Sequence, residues 1–211
     1  SDHVALSGGG PTGLVLDAPR DRAFVATRFD HGISLVPLST RSQVAHVAMH
    51  TPEPTEIYWG RPIFYDARAA SSTGEASCAS CHVFGDLDGL AWDLGDPDGA
   101  VVASTNPAGP LGSQESFHPL KGPMTTQTLR GMSTHGPLHW RGDRTAGGAS
   151  ALDEHAAFEA FNPAFPGLLG RDEGEIPADD MSLFADFALS ITQPPNPIRN
   201  LDDSLTPDQQ A

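Results

Sequence analysis

A chain of 211 residues can bury one sizeable core or two small ones, and its 22 glycines and 19 prolines commit much of the backbone to loops. Its 27 acidic residues against 12 basic ones leave a net charge of −15, with Lys121 the single lysine, which disfavours nucleic acid and anionic lipid and suits a basic docking partner. No apolar run is long enough to span a bilayer, and Ser1-Asp2-His3 opens without a charged or hydrophobic leader, so the expectation is a mature or truncated soluble chain.

Residues 1–50 read as short strands. Leu14-Val15-Leu16, Ala23-Phe24-Val25-Ala26, Ile33-Ser34-Leu35-Val36 and Val44-Ala45-His46-Val47-Ala48 are β-type runs, and turn formers at Gly8–Pro11, Asp17–Asp21, Asp30–Gly32 and Ser39–Arg41 separate them. Four hairpin-connected strands make one antiparallel sheet. The stretch GGGPTGLVLDAPRDRAFVATRFDHGISLVPLSTRSQVAHVAM resembles one blade of a YVTN-type β-propeller, with Pro37 where that repeat usually has Asp. A propeller needs several blades and the chain carries one copy, so the expectation is the tail of a longer protein that starts inside its last blade. The open strand edges would be covered by the rest of the chain or by self-association of the blade.

Thr51-Pro52-Glu53-Pro54 ends the strand pattern, and residues 51–56 read as a linker into a helical region spanning 57–195. Ile57, Gly60, Phe64 and Arg68 fall at helical spacing over residues 55–68. Cys78-Ala-Ser-Cys81-His82 follows, and these are the chain's two cysteines. Thiols three positions apart can each add across a vinyl group on one porphyrin edge, which sets the next residue beneath the iron, so one covalent haem c is expected with His82 as proximal ligand. A structural zinc site would need two further ligands, and a thioredoxin-like pair would sit in a βαβ pattern that residues 70–95 lack. Haem attachment of this kind takes place outside the bacterial cytoplasm, which implies a periplasmic or otherwise exported protein.

The insert GDLDGLAWDLGDPDG brings Asp86, Asp88, Asp93, Asp96 and Asp98 close together. These carboxylates suit a hard cation such as calcium, but the spacing does not match an EF-hand loop and favours a solvated Asp/Gly loop. Met124, in a Gly-Pro-Met loop, is the first candidate for the sixth iron ligand, because cytochromes c commonly send a thioether from such a loop; Met132, His139 and His155 stand behind it. Arg130 and Arg141 suit haem propionates, since a guanidinium binds a carboxylate bidentately, and Trp140 suits packing on the haem. Ser150 with Asp153 and Glu154 reads as a helix start. Asp179-Asp180 opens a last helix carrying Met181, Phe184, Phe187 and Ile191, and Gln193-Pro194-Pro195 closes it, leaving a polar tail over 196–211. The first and last helices should cross, with Gly60 permitting close approach to Phe187.

GRPIFYDARAASSTGEASCASCH resembles the haem-binding segment of bacterial di-haem cytochrome c peroxidases. KGPMTTQTLRGMSTHGPLHWRGDR and ALDEHAAFEAFNPAF are similar to later segments of the same family, so the likeness covers roughly residues 58–192. It implies a mainly α, cytochrome c-like haem domain behind the short N-terminal antiparallel sheet. It also makes His118, three residues before Lys-Gly-Pro, an alternative distal ligand, and matches Glu154 to the family's catalytic glutamate. A single Cys-x-x-Cys-His excludes two-haem chemistry within this polypeptide, and Leu138 stands where the family places a glutamine. The expected role is an electron carrier, the redox module of a larger protein; the alternative is a peroxidase-like enzyme with an open or displaceable distal position that uses Glu154 for proton transfer.

Overall fold

The structure is a computed structural model that describes residues 3–103, 116–120, 122–139 and 153–210. Its first unit is an antiparallel meander of β1 (Pro11–Asp17), β2 (Arg22–Thr27), β3 (Gly32–Pro37) and β4 (Ala45–Ala48), hydrogen-bonded in that order. The register pairs Val15 with Phe24, Phe24 with Leu35 and Leu35 with Ala45. Paired residues share a face, so Gly13, Val15, Phe24, Ala26, Ile33, Leu35, Ala45 and Val47 form one continuous apolar surface. The opposite face carries Leu14, Leu16, Ala23, Val25 and Val36. Strands apolar on both sides are the pattern of a sheet covered on both faces, yet Leu14, Val15, Leu16, Val44 and Val47 are all exposed.

The second face ends in a half-buried polar group. His46 bridges Ser34 Oγ, 2.9 Å from its Nδ1, and the Asp30 carboxylate, 2.6 Å from its Nε2. The residue types are those of a hydrolytic triad, but Ser34 is fully buried and no substrate could meet its hydroxyl, so the group pins the β2–β3 turn to β4. Gly32 is required there: a Cβ would lie 2.3 Å from the His46 ring.

Glu53, in the linker, joins the sheet to the helices. Its carboxylate accepts from Arg28 at 3.0 Å and from Arg61 at 2.6 Å, and lies 2.8 Å from His31 Nε2. The Arg28 hydrogen bond, with further help from Arg61, holds its carboxyl down at about 2. His31 also stacks on Tyr58, with ring centroids 5.4 Å apart.

The helical part contains α1 (Thr55–Tyr65), α2 (Ala67–Ala70), α3 (Cys78–Cys81), α4 (Glu154–Glu159), α5 (Ala164–Gly167), α6 (Ala178–Leu189) and a terminal turn α7 (Pro207–Gln210). Two small antiparallel ladders, absent from the sequence reading, interrupt it: β5 (Ala91–Asp93) with β8 (Pro123–Thr125), and β6 (Val102–Ala103) with β7 (Ser116–Phe117). The described residues therefore form a mixed α and β protein with the expected short N-terminal antiparallel sheet. The helix expected over 55–68 stops at Tyr65, because Asp66 leaves helical geometry and its side chain accepts from the Arg68 amide, which starts α2. Asp153 caps α4 by accepting from the Ala156 amide; Ser150, the expected start, lies outside the described residues.

The crossing of α1 and α6 organises the core. A Cβ on Gly60 would lie 2.0 Å from the Leu183 carbonyl and 2.7 Å from Phe187 Cβ, so only glycine lets these backbones touch. Around that contact Phe64 packs on Phe184 and Phe187 with centroids 6.2 and 5.7 Å apart, and Phe158 meets Phe184 edge-on at 5.0 Å. Arg61 is buried over the Phe187 ring, 5.7 Å from its centroid.

Candidate functional site

The segment Ser77–His82 is built to present three side chains from one turn. Ser77 and Ser80 cap each other reciprocally, which satisfies the amides at the start of α3 and fixes Cys78 and Cys81 one helical turn apart. His82 closes the turn, its amide donating to the Cys78 carbonyl at 2.9 Å. Its Nδ1 lies 2.8 Å from the Gln127 carbonyl oxygen, an acceptor only, so Nδ1 carries the proton and Nε2 keeps its lone pair. Burial lowers the pKa of His82, which favours the neutral imidazole that a metal takes.

Both cysteines are free thiols. Burial pushes the Cys78 thiol up to about 12, and burial followed by the neighbouring Asp88 charge raises that of Cys81. A redox-active dithiol needs a depressed pKa, so the structure disfavours the thioredoxin-like reading. Among the described residues no group of three or more His, Cys, Asp or Glu side chains converges as a metal would require, which leaves zinc without a ligand set. Covalent haem asks for what is present: two thiols on one side of a turn and a neutral imidazole directly after them. Close in sequence to the turn, Val83, Phe84, Leu87, Leu90, Trp92 and Leu94 are all exposed, apolar surface of the kind a porphyrin covers. The residues fit the group.

Other expected site residues fall in several places. Met124 sits in β8 opposite Trp92 of β5, three residues before Gln127. His118 accepts from the Leu120 amide at 3.0 Å, within its own turn. Met132 packs against the aromatic core, and His139, with φ 69°, meets the Phe161 ring edge-on at 5.9 Å. His155 lies 3.3 Å from Asp186 and 3.7 Å from Glu159. Glu154 accepts from the Gly136 amide at 3.0 Å, which ties α4 to the segment after Met132. Arg130, expected toward a propionate, lies with its Nη1 2.8 Å from the Asp86 carboxylate, and its Nη2 donates to the Phe84 carbonyl at 3.3 Å. Trp140 and Arg141 lie outside the described residues.

The acidic insert spends its carboxylates on itself. Asp88 accepts from the Leu90 amide at 2.9 Å and from Trp92 Nε1 at 2.8 Å, and Asp96 accepts from the Asp98 amide at 3.1 Å. With Asp86 on Arg130, these side chains do not gather into the calcium site for which the sequence supplied the residue types. Sequence reasoning missed Gln127, whose contribution is a backbone carbonyl and carries no side-chain signal.

No protein-family model and no curated protein matches the chain. Among solved structures it is similar to hydrazine synthase of Kuenenia stuttgartiensis pressurised with xenon, at 25% identity over 76% of this chain and 44% of that one, with a TM-score of 0.45. The chain spans less than half of that protein's chain, and a TM-score at this level carries neither fold nor chemistry across.

Proposed function

We propose that the chain is a c-type cytochrome with one haem, bonded through Cys78 and Cys81 and ligated by His82, and that it transfers electrons in the periplasm or another exported location as the redox module of a larger protein. The observation that carries this reading is the His82 imidazole, oriented by the Gln127 carbonyl at 2.8 Å and placed one residue beyond two free thiols. The haem would supply one-electron chemistry. The chain's own residues anchor it, present Nε2, and exclude water with the apolar side chains after the motif. Met124 is the proposed sixth ligand and His118 its alternative; Trp140 and Arg141 are proposed to pack on the haem and to meet a propionate.

The charge distribution supports a division of labour. Residues 1–50 hold four arginines and four aspartates, so the whole net charge of −15 belongs to the remainder. A neutral sheet with two apolar faces suits burial between neighbouring sheets, and an acidic helical part suits a basic redox partner. Among the described residues no helix is long and apolar enough to cross a membrane.

The test is to export the protein in a host with haem-attachment machinery and run it on a denaturing gel stained for haem. Pigment that survives denaturation and acidified acetone in the natural sequence, and is lost from C78S/C81S, is the expected result. Colourless, correctly exported protein would overturn the proposal. Near-infrared and visible spectra of both oxidation states then report the axial ligands: a sulfur-to-iron band supports Met124, and a fast spectral change with peroxide or cyanide supports the peroxidase-like alternative.

A further inference from the structure

The residues that decide how His82 is held lie mostly in a second strip of chain, and that strip is laced to the turn after the motif. Phe84 and Gly85 both adopt left-handed geometry, with φ 55° and 71°. This is costly for a phenylalanine and turns the two carbonyls toward residues 128–131. The Gly85 carbonyl accepts from the Leu129 amide at 2.9 Å. The Phe84 carbonyl accepts from Arg130 Nη2, and Asp86 takes Arg130 Nη1 at 2.8 Å. The Thr128 hydroxyl oxygen accepts from the Arg130 amide at 3.2 Å and so holds the backbone of the strip. From the far side the segment that follows α6 closes the strip, with the Gly131 amide on the Ile191 carbonyl at 2.8 Å and Gln193 Nε2 on the Arg130 carbonyl at 3.0 Å.

The point of this lacing is Gln127. Its carbonyl stands immediately before Thr128, and it is the acceptor that fixes the tautomer and direction of His82. We infer that Asp86, Thr128 and Arg130 are positioning residues for the proximal imidazole, holding the Gln127 carbonyl on Nδ1–H; the inference rests on the proposed haem ligation. Such an acceptor makes the imidazole a stronger donor and so favours the ferric state. Loosening the lace therefore shifts the equilibrium toward ferrous iron and raises the reduction potential, whichever member of the lace is altered.

That last point separates positioning from simple charge. If Asp86 and Arg130 acted only as point charges near the iron, loss of the anion would raise the potential, loss of the cation would lower it, and exchanges that preserve charge would do nothing. Two such exchanges are available. Arg130→Lys keeps the charge but loses the two-pronged fork on Asp86 and Phe84, and Thr128→Val removes a hydroxyl and no charge.

The experiment is a redox titration of the haem-loaded natural protein, R130K, T128V and R130Q, each first checked for acid-stable pigment. R130K and T128V are each expected to shift the equilibrium about threefold toward ferrous iron, which at 59 mV per tenfold for one electron is about +30 mV, and R130Q is expected to rise with them. If R130K and T128V match the natural protein while R130Q falls below it, the pair is only electrostatic and the inference is overturned, with the haem reading intact. Should one of the charge-conserving variants fail to mature, the other decides by the same criterion. A colourless natural protein would overturn the haem reading and the inference together.

Discussion

Replacing Glu53 with Gln tests the joint between sheet and helices most directly. The natural carboxylate holds its proton at about 2 against an ordinary 4.5, so it binds protons more weakly folded than unfolded. Linkage at 1.36 kcal/mol per pKa unit puts an upper bound of about 3 kcal/mol on its contribution at neutral pH. The side chain is 27% exposed, and solvent screening of the Arg28 pair, whose own side chain is 39% exposed, reduces the expected value to about 1.5–2 kcal/mol. Arg61 keeps the figure from falling further: its side chain is only 9% exposed, its Nη2 is 2.6 Å from Glu53, and its Nη1 has no hydrogen-bond partner among the described residues. Because the folded pKa is depressed, the stabilisation is complete above 4.5 and lost as pH falls toward 2. Urea unfolding of E53Q and the natural chain at pH 7, 5, 4 and 3 should show a deficit that is constant from 7 to 5 and less than half as large at pH 3. A deficit independent of pH would refute the electrostatic account and assign the loss to packing.

Gly60→Ala should destabilise by about 3 kcal/mol or prevent folding, because the new methyl meets the Leu183 backbone and the helices must separate; the unfolding midpoint measures this. Phe184→Ala should cost about 3–5 kcal/mol in the same assay, since this buried ring contacts Phe64, Phe158 and Phe165. Val15→Glu with Val47→Glu should change the stability of the isolated chain by less than about 0.5 kcal/mol per site, because both side chains lie exposed on the same apolar face, and should shift any oligomer seen in sedimentation of the natural chain toward the monomer. On the proposed haem ligation, His82→Ala should leave the thiols able to react yet change the spectrum of the haem-loaded protein, read by visible absorption.

The strands were legible because each run of apolar residues is bounded by turn formers, and the observed spans differ from the runs by a few residues at their ends. The pairing that puts Val15, Phe24 and Leu35 on one face becomes visible only in the folded sheet, as does the exposure of Val15 and Val47 on that face. The first and last helices and their contact at Gly60 followed from periodicity and from a glycine placed opposite an aromatic. Helix ends were less readable: Asp66 breaks α1 through a side-chain cap, a local competition that helical spacing does not register. At the site, Cys78, Cys81 and His82 announce themselves as residue types, whereas the acceptor on His82 is a carbonyl and could come from any residue. Arg130 was singled out for a propionate because arginines suit carboxylates. The structure supplies a carboxylate from Asp86, a partner that becomes visible only once the turn at Phe84–Gly85 has folded back.

The contacts from the sheet to the His82 imidazole are continuous but not equally stiff. Glu53 binds Arg61 of α1, α1 is locked to α6 at Gly60, and the segment that follows α6 holds Gly131 and Arg130 through Ile191 and Gln193. The first of these links is a partly solvated ion pair, the second a backbone contact too close for any Cβ, the third two hydrogen bonds. Strain introduced at Glu53 should therefore stop at the helix crossing, because α1 cannot shift on α6 without breaking the Gly60 contact. E53Q is accordingly expected to lose stability while its haem-loaded form keeps the spectrum and reduction potential of the natural protein, whereas R130K shifts the potential. A potential change in E53Q as large as that in R130K would mean that the α1–α6 crossing yields, and that the sheet and His82 are energetically coupled.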